Sequence, residues 1–457
     1  MSGPGTRILF LSYCGVAVSL LREFNNAVTE PYMDEPFHVP QAQAFCRGEW
    51  STWDPKITTP PGMYILSVLL HRIFMFRCNV ALLRFTVTLT LLALPLFLTR
   101  LLTFHQRRRP PPLLAPTAEA LILSTFPIAW FYGFLYYTEV PSLVSVLFTM
   151  ILATQDWHWP AAVLGVISCL FRQTNIIWTL YAFAISQLMR LRCKRRNGSL
   201  HDPPALSAGP GEWYGWHSRD ILRSIISAPA ALPELLPTFV PYMLALVMFG
   251  AFVFWNGGIV LGDKANHVPV LHVPQLYYFT AFATLMGWPA VVFGRGGPLK
   301  LAREVVHRMR VVFTVLLSAF MVFTVHRFTI HHPFLLADNR HYTFYVWRRV
   351  FMLHRLVPYL FIPGYQACAW AWWLRVAPDQ TLLQSLILPI AIMPTLLPTP
   401  LLEPRYFLVP YILLRAQVVD MRPVGLVAEG VWYAAINVAT IYVFLYNERE
   451  GVGRFMW

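Results

Sequence analysis

The adjacent carboxylates Asp34 and Glu35 are where the sequence first offers chemistry. A carboxylate held at a membrane surface can act as a general base, taking the proton from a hydroxyl as that hydroxyl attacks a glycosyl donor. Two neighbouring carboxylates repel, which splits their pKa values and leaves at least one ionised. The competing reading is a solvated loop dipeptide. The spacing Glu35-x-x-His38 would also put two metal ligands on one helical face, but a carboxylate-bridged metal site needs a second such motif, and the sequence has none. Further on, Arg340 lies between Asp338 and His341, and Arg405 lies beside Glu403. Arginine binds phosphate through a planar fork and stays charged, so these segments suit a phosphate leaving group; as ion pairs they would be structural instead. Arg172 interrupts the apolar stretch 160–188. Either it is functional, as an ionisable residue within a membrane segment tends to be, or it sits where two half-helices meet at a surface.

The elements that must position these residues are membrane helices. Of the 457 residues 56% are hydrophobic and only 13% charged, against about 25% charged in a soluble domain. An ordinary soluble protein and an extended disordered chain are both excluded. The sequence predicts an all-α polytopic membrane protein, a single domain over 1–457. Apolar runs near 8–28, 61–76, 80–104, 118–137, 139–155, 160–188, 236–262, 276–293, 311–330, 355–376, 380–397, 405–418 and 428–446 give about 11–14 transmembrane helices. The first is read as an uncleaved anchor.

The formal net charge is +14, and fifteen basic residues fall in Arg107–Arg109, Arg190–Arg223 and Arg295–Arg310. Basic loops between apolar runs mark the cytosolic side, so the charge reflects topology and no nucleic-acid partner is expected. The stretch 190–227 reads as a loosely ordered basic cytosolic loop, which would leave the sequon Asn197-Gly198-Ser199 unused. The acidic stretch 30–60 reads as a structured first luminal loop. Counting helices from the basic loops places His331–Arg349, with Arg340, Arg348 and Arg349, in the lumen. Gly262–Pro274 and Pro398–Tyr406 fall there too. Either the helix count is off by one, or cations kept on the side that the positive-inside rule disfavours stay there because they bind an anion. Running both 61–76 and 80–104 across the membrane would put Arg107 in the lumen, so one of the two should not be a full crossing. The six cysteines show no C-x-x-C pair, and neither a disulfide framework nor a zinc ribbon is expected.

Longer motifs make the chain recognisable. Tyr32-Met-Asp-Glu-Pro-Phe-His-Val-Pro-Gln-Ala-Gln43, Trp53-Asp-Pro-Lys-Ile-Thr-Thr59 and Pro61-Gly62 are followed by Phe171-Arg-Gln-Thr-Asn175 and Asn256-Gly-Gly-Ile-Val-Leu-Gly-Asp263. Then come Leu336-Ala-Asp-Asn-Arg-His-Tyr-Thr-Phe-Tyr-Val-Trp347, Arg405-Tyr-Phe407 and Arg454-Phe-Met-Trp457. Together, and in order over nearly the whole chain, they resemble the dolichyl-phosphate-glucose-dependent α-1,2-glucosyltransferases of the endoplasmic reticulum, which have a GT-C-type helical bundle.

The resemblance implies transfer of the third, terminal glucose from dolichyl-phosphate glucose onto the diglucosylated, mannose-rich oligosaccharide on dolichyl diphosphate, within the lipid bilayer and facing the lumen. A β-linked donor and an α product imply inversion with a single base; because lipid-phosphate donors in this group are generally used without a divalent ion, the resemblance implies no metal or other cofactor. Asp34 is expected as that base, with Glu35 as its positioning partner or substitute. Arg340, His341, Arg405, Glu403, His38, Gln41, Lys264 and Tyr342 are the candidates for binding donor phosphate or substrate. Related mannosyltransferases carry His-Lys-Glu-x-Arg-Phe; Leu401–Phe407 is similar at Glu403 and Arg405 but lacks the His-Lys. The rival readings are a transporter or channel, which would show paired broken helices and internal repeats, a mannosyl-donor enzyme of the same type, and a non-catalytic subunit.

Overall fold

Apolar runs become helices here, and prolines and polar turns set where they stop. The structure, a computed structural model, describes residues 4–193, 200–206, 216–309 and 311–457. Among the described residues there is no β-strand, only three isolated bridges. The first apolar run is α1 (Pro4–Ala27). Behind it the acidic stretch folds as α2 (Glu35–Cys46), with Asp34 at the N-cap and Pro36 in the first turn, where a missing N–H costs nothing. Next, α3 (Gly62–Phe74) ends where Met75 turns left-handed. The Asn79 side chain then starts α4 (Val80–His105) by accepting the Leu82 N–H at 2.9 Å.

The run expected over 118–137 is broken into α5 (Ala118–Ser124) and α6 (Pro127–Tyr132). Pro127 has no N–H to give and disfavours helical geometry at Phe126. After α7 (Glu139–Thr154), the stretch 160–188 forms two helices, α8 (His158–Cys169) and α9 (Asn175–Cys193), with Arg172 at the turn between them. The expected loose loop 190–227 is more ordered where it is described. There α9 runs into it, Pro204 bridges to Thr381, and α10 (Trp216–Ser227) closes it; the sequon lies outside the described residues.

The second half comprises α11 (Leu232–Asn256), α12 (Pro274–Val292, kinked at Gly287), the basic α13 (Gly297–Arg308) and α14 (Val311–Phe328). The short helices α15 (Pro333–Ala337), α16 (Tyr342–Val346) and α17 (Val357–Leu360) follow. Last come α18 (Ile362–Val376), α19 (Leu382–Leu396), α20 (Leu408–Ala416) and α21 (Pro423–Tyr446). The core is built where α4 packs on α7, and α7 on α8 and α9.

By length and apolarity alone, four helical stretches among the described residues can cross a bilayer: Gly5–Ala27, Val80–His105, Arg219–Asn256 and Pro423–Tyr446. Counting the bent pair α13–α14 as one span makes five. The remaining apolar runs are shorter or broken, such as α3, α7, α8 and α19.

A disulfide and a helix length bear on the first-loop parity. Cys46 and Cys78 form a disulfide, which the cysteine spacing did not foretell. Their pairing is tertiary, because it joins the end of α2 to the residues just before α4. Between them α3 has 13 residues, about 20 Å of helix against a hydrocarbon core of about 30 Å. Hence α3 is too short to cross and both its ends stay on one side, while α1 and α4 are long and apolar enough to cross. Gly62 seats it: its N–H bonds the Leu170 carbonyl at 2.9 Å, and a Cβ there would come within 2.7 Å of the Leu170 backbone.

Candidate active site

Asp34 and Glu35 are neighbours in sequence with opposite surroundings. Met33 adopts a left-handed φ of +60° at the entry to α2. Glu35 then turns into the core, fully buried, where both carboxylate oxygens meet the guanidinium of Arg84 at 2.9 and 2.6 Å. The same oxygens accept the Tyr136 and Tyr32 backbone N–H groups at 2.7 and 3.0 Å. A carboxylate so fully occupied, and away from the cavity, is poorly built to replace Asp34 as a base; what remains is the positioning role. Glu35 anchors the first turn of α2 on α4, and thereby Asp34.

Asp34 faces a cavity of about 1140 Å³, larger than the roughly 300–1,000 Å³ usual for small-molecule sites. Its side chain keeps 38% of its surface exposed. Its backbone N–H donates to the Tyr137 hydroxyl at 3.0 Å, and its Oδ2 receives Arg405 Nη1 at 2.7 Å. Among the described residues, Oδ1 receives no hydrogen bond. Burial alone would raise the Asp34 carboxyl, but the Arg405 guanidinium outweighs it and holds the group below the ordinary carboxylate value. Asp34 is therefore ionised at neutral pH with one oxygen unclaimed.

Arg405 is itself the hub of a cluster. It stands on the turn Pro404–Phe407 ahead of α20, and its Nε bonds Glu403. Glu139, at the start of α7, lies 3.8 Å from Arg405 and pairs with Arg172. The Arg172 ambiguity thus resolves: the residue marks the joint between two half-helices, and it neutralises a buried carboxylate instead of reaching for solvent.

The three polar segments expected to share one side close around Asp34. Loop 257–266 is laid along the first loop by the Asp263 N–H to Pro55 carbonyl bond at 2.9 Å and the Leu261 N–H to Thr58 carbonyl bond at 3.2 Å. Gly262 permits this approach, since a Cβ would meet the Pro55 carbonyl oxygen at 2.2 Å. From the second segment come Arg340 and His341. Arg340 is bidentate to Asp338 at 2.9 and 2.7 Å, and His341 Nδ1 lies 2.6 Å from the main-chain oxygen of Trp457. Burial would raise the Asp338 carboxyl, but His341 and Arg340 hold it well below the usual range. The third segment brings Glu403 and Arg405.

The tail completes the wall. Tyr32 hydroxyl bonds both the carbonyl and the N–H of Arg454, at 2.6 and 2.7 Å, and Met456 N–H bonds the Arg340 carbonyl at 2.8 Å.

Of the expected site residues, Asp34, His38, Arg340, His341, Glu403 and Arg405 line this one cavity. His38 Nδ1 is 2.5 Å from the Tyr64 hydroxyl, and burial keeps its pKa below the ordinary histidine value. It diverges from Glu35, so the Glu35-x-x-His38 pair does not form a ligand face. Among the described residues no three His, Cys, Asp or Glu side chains are grouped to hold a metal ion. Gln41, Lys264 and Tyr342 are placed elsewhere. Gln41 is buried, joining α2 to the Thr52 carbonyl and the Asp54 N–H at 2.7 and 2.9 Å. Lys264 ties back to Asn256 at the end of α11. Tyr342 bonds Thr440 at 3.1 Å and packs on Phe455 and Trp457.

Sequence reasoning passed over Arg84 and Glu139. Each is a lone charge at the edge of an apolar run, and the expense of an unpaired charge in such a run was the available signal.

A family model described as the DIE2/ALG10 family matches residues 28–416, from just ahead of the first loop through α20. The chain belongs to this family. Over 97% of its length it is 36% identical to a Rattus norvegicus protein named Dol-P-Glc:Glc(2)Man(9)GlcNAc(2)-PP-Dol alpha-1,2-glucosyltransferase, covering 96% of that protein. A Homo sapiens protein of the same name is 35% identical over 97% of this chain and 96% of its own. One from Arabidopsis thaliana is 31% identical over 95% of this chain and 96% of its own. No solved structure matches the chain. This family member is an all-α polytopic membrane protein.

Proposed function

We propose that this protein transfers the terminal glucose from dolichyl-phosphate glucose, in α-1,2 linkage and with inversion, onto the diglucosylated mannose-rich oligosaccharide carried on dolichyl diphosphate. The observation that carries the chemistry is Asp34, an ionised carboxylate with one unclaimed oxygen at the wall of a cavity large enough for two sugars to meet. Relatives matching over nearly the full length, all named for this transfer, favour it over a transporter and over a mannosyl donor.

In the proposed step the 2-hydroxyl of the acceptor's terminal glucose attacks the anomeric carbon of the donor glucose. Its proton passes to Asp34, the bond from carbon to the phosphate oxygen breaks with its electron pair on phosphate, and dolichyl phosphate leaves. One base and one displacement invert the anomeric centre. Arg405 keeps Asp34 ionised beforehand. Glu35, locked on Arg84, fixes the turn that aims Asp34, which is how a site gains rate from orientation. His38, neutral, and the tyrosines around Asp34 supply hydrogen bonds that sugars need.

We place the cavity on the luminal side of the endoplasmic reticulum membrane. The Cys46–Cys78 disulfide supports this, because such bonds persist in oxidising compartments and this one lies on the Asp34 side of α1 and α4. The basic segment Arg107–Arg109 then falls in the cytosol, as the positive-inside rule requires.

The test is a transfer assay with purified protein in detergent, dolichyl-phosphate glucose, a diglucosylated lipid-linked acceptor and a chelator. Transfer by the parent, abolished in Asp34→Ala and Asp34→Asn, is the expected outcome. No transfer by well-folded parent protein with any glucosyl or mannosyl donor overturns the reading.

A further inference from the structure

The cations on the cavity wall are of two kinds. Arg405 is engaged by Asp34 and Glu403, and Arg340 by both oxygens of Asp338. Lys56 and Arg348 also line the cavity, yet among the described residues neither is in an ion pair. Each lies only over an aromatic ring, Lys56 at 5.1 Å from Phe37 and Arg348 at 5.7 Å from Phe344. Both are exposed.

Their placement is built, not incidental. Phe37 is three residues from Asp34 and on the same side of α2, so Lys56 is held beside the turn that carries Asp34. The Lys56 N–H is fixed by Asp54 at 2.9 Å, and the neighbouring Pro55 carbonyl by the Asp263 N–H. Arg348 stands on the turn Trp347–Phe351, a different segment of the wall, seated by the buried Trp347.

A cation already paired with a carboxylate must give up that partner before it can grip an anion, and the carboxylate left behind repels the newcomer. An unpaired cation over an aromatic ring has no such cost. It keeps its full charge available and is oriented by the ring.

We propose that Lys56 and Arg348, rather than Arg340 and Arg405, form the phosphate subsite of the cavity. They hold the phosphodiester of the lipid-phosphate sugar donor from two walls. As the carbon–oxygen bond breaks, the phosphate goes from one negative charge to two, and the hydroxyl proton that balances this passes to Asp34. The two free cations take up the added charge on phosphate, while Arg405 stays with the base. This proposal rests on the glucosyltransferase reading above for the identity of the donor, but the subsite itself does not need turnover to be seen.

The experiment combines equilibrium binding of farnesyl phosphate to the full chain in detergent, read by tryptophan fluorescence, with transfer kinetics. Lys56→Met and Arg348→Met are each expected to weaken farnesyl phosphate binding about tenfold, the scale of one lost charge-assisted hydrogen bond. The donor KM should rise in step, with the acceptor KM within about twofold. Lys56→Arg should restore most of the binding. Arg72→Met, an exposed cation on α3 outside the cavity, should bind as the parent does. Unchanged phosphate binding in either Met variant overturns the two-walled subsite. So does a rise confined to the acceptor KM, which would assign these cations to the acceptor's diphosphate. Weakened binding in both variants, in a protein that transfers no sugar, would leave the subsite standing and bring down the glucosyltransferase reading instead.

Discussion

Arg405 and Arg415 stand at opposite ends of α20, and each gathers carboxylates from distant parts of the chain. Arg415 is fully buried. Its guanidinium is bidentate to Glu429 at 2.7 and 2.8 Å and reaches Glu119 at 3.0 Å, while the Tyr433 hydroxyl donates to Glu429 at 3.2 Å. No residue of that cluster lines the Asp34 cavity. Arg405 makes the same kind of contacts with Asp34 and Glu403, but Asp34 keeps one oxygen free and opens onto a space the size of two sugars. The ingredients are alike, and access separates them. A closed cluster joins helices; an open one has a valence left for a substrate. Glu35–Arg84 is instructive because it sits one residue from Asp34 and yet belongs to the closed kind.

The largest expected effect breaks the open cluster. Asp34→Asn should lower the transfer rate by about 10²–10⁴ with little change in melting temperature, the signature of a lost base. A melting temperature that falls with the rate would place Asp34 with the structural pairs. Second in size, Glu429→Gln leaves Arg415 short of a charge partner in the core and should cost about 3–5 kcal/mol. Denaturant or thermal unfolding would register this, while the protein that remains folded keeps its turnover. A full loss of rate in folded Glu429→Gln would show that the two clusters are not separable.

Glu35→Gln sharpens the comparison from within one dipeptide. It should behave like Glu429→Gln in stability, and unlike Asp34→Asn in the rate per folded molecule. Inactivity in fully folded Glu35→Gln protein, with Asp34→Asn still active, would move the base by one residue. The smallest effect is in pH. Because Arg405 holds Asp34 below the ordinary carboxylate value, the parent's activity should persist on acidification until below about pH 4. Arg405→Lys loosens the hold on Asp34 Oδ2, and Arg405→Met removes the charge and leaves burial to raise the Asp34 carboxyl. The acid limb of the rate profile should then move to higher pH, further for Met than for Lys. An unmoved limb would mean that Asp34 is not the titrating group.

What the sequence determined by itself are properties of short windows. Apolar runs located the helices, because burial in lipid depends on the residues within one run and not on their partners. The excess of cations in short loops gives the expected orientation of the two faces. The polar segments around Asp34, Arg340–His341 and Glu403–Arg405 were legible as a convergent set for the same reason: each lies at the end of an apolar run, so topology alone puts them on one side.

The tertiary structure decided the directions and the pairings. Consecutive residues on a helix point about 100° apart, and no local pattern says which of Asp34 and Glu35 meets the cavity. Arg84, arriving from α4, settled it by claiming Glu35. Gln41, Lys264 and Tyr342 belong to motifs around the site but turn to Thr52, Asn256 and Thr440, because a motif reports that a segment is needed and not which side chain faces inward. Cys46 and Cys78 lie 32 residues apart and give no spacing signal, yet their bond shows that α3 turns back without crossing. Each of these outcomes depends on a partner brought from elsewhere in the chain, and such a partner exists only once the helices have packed.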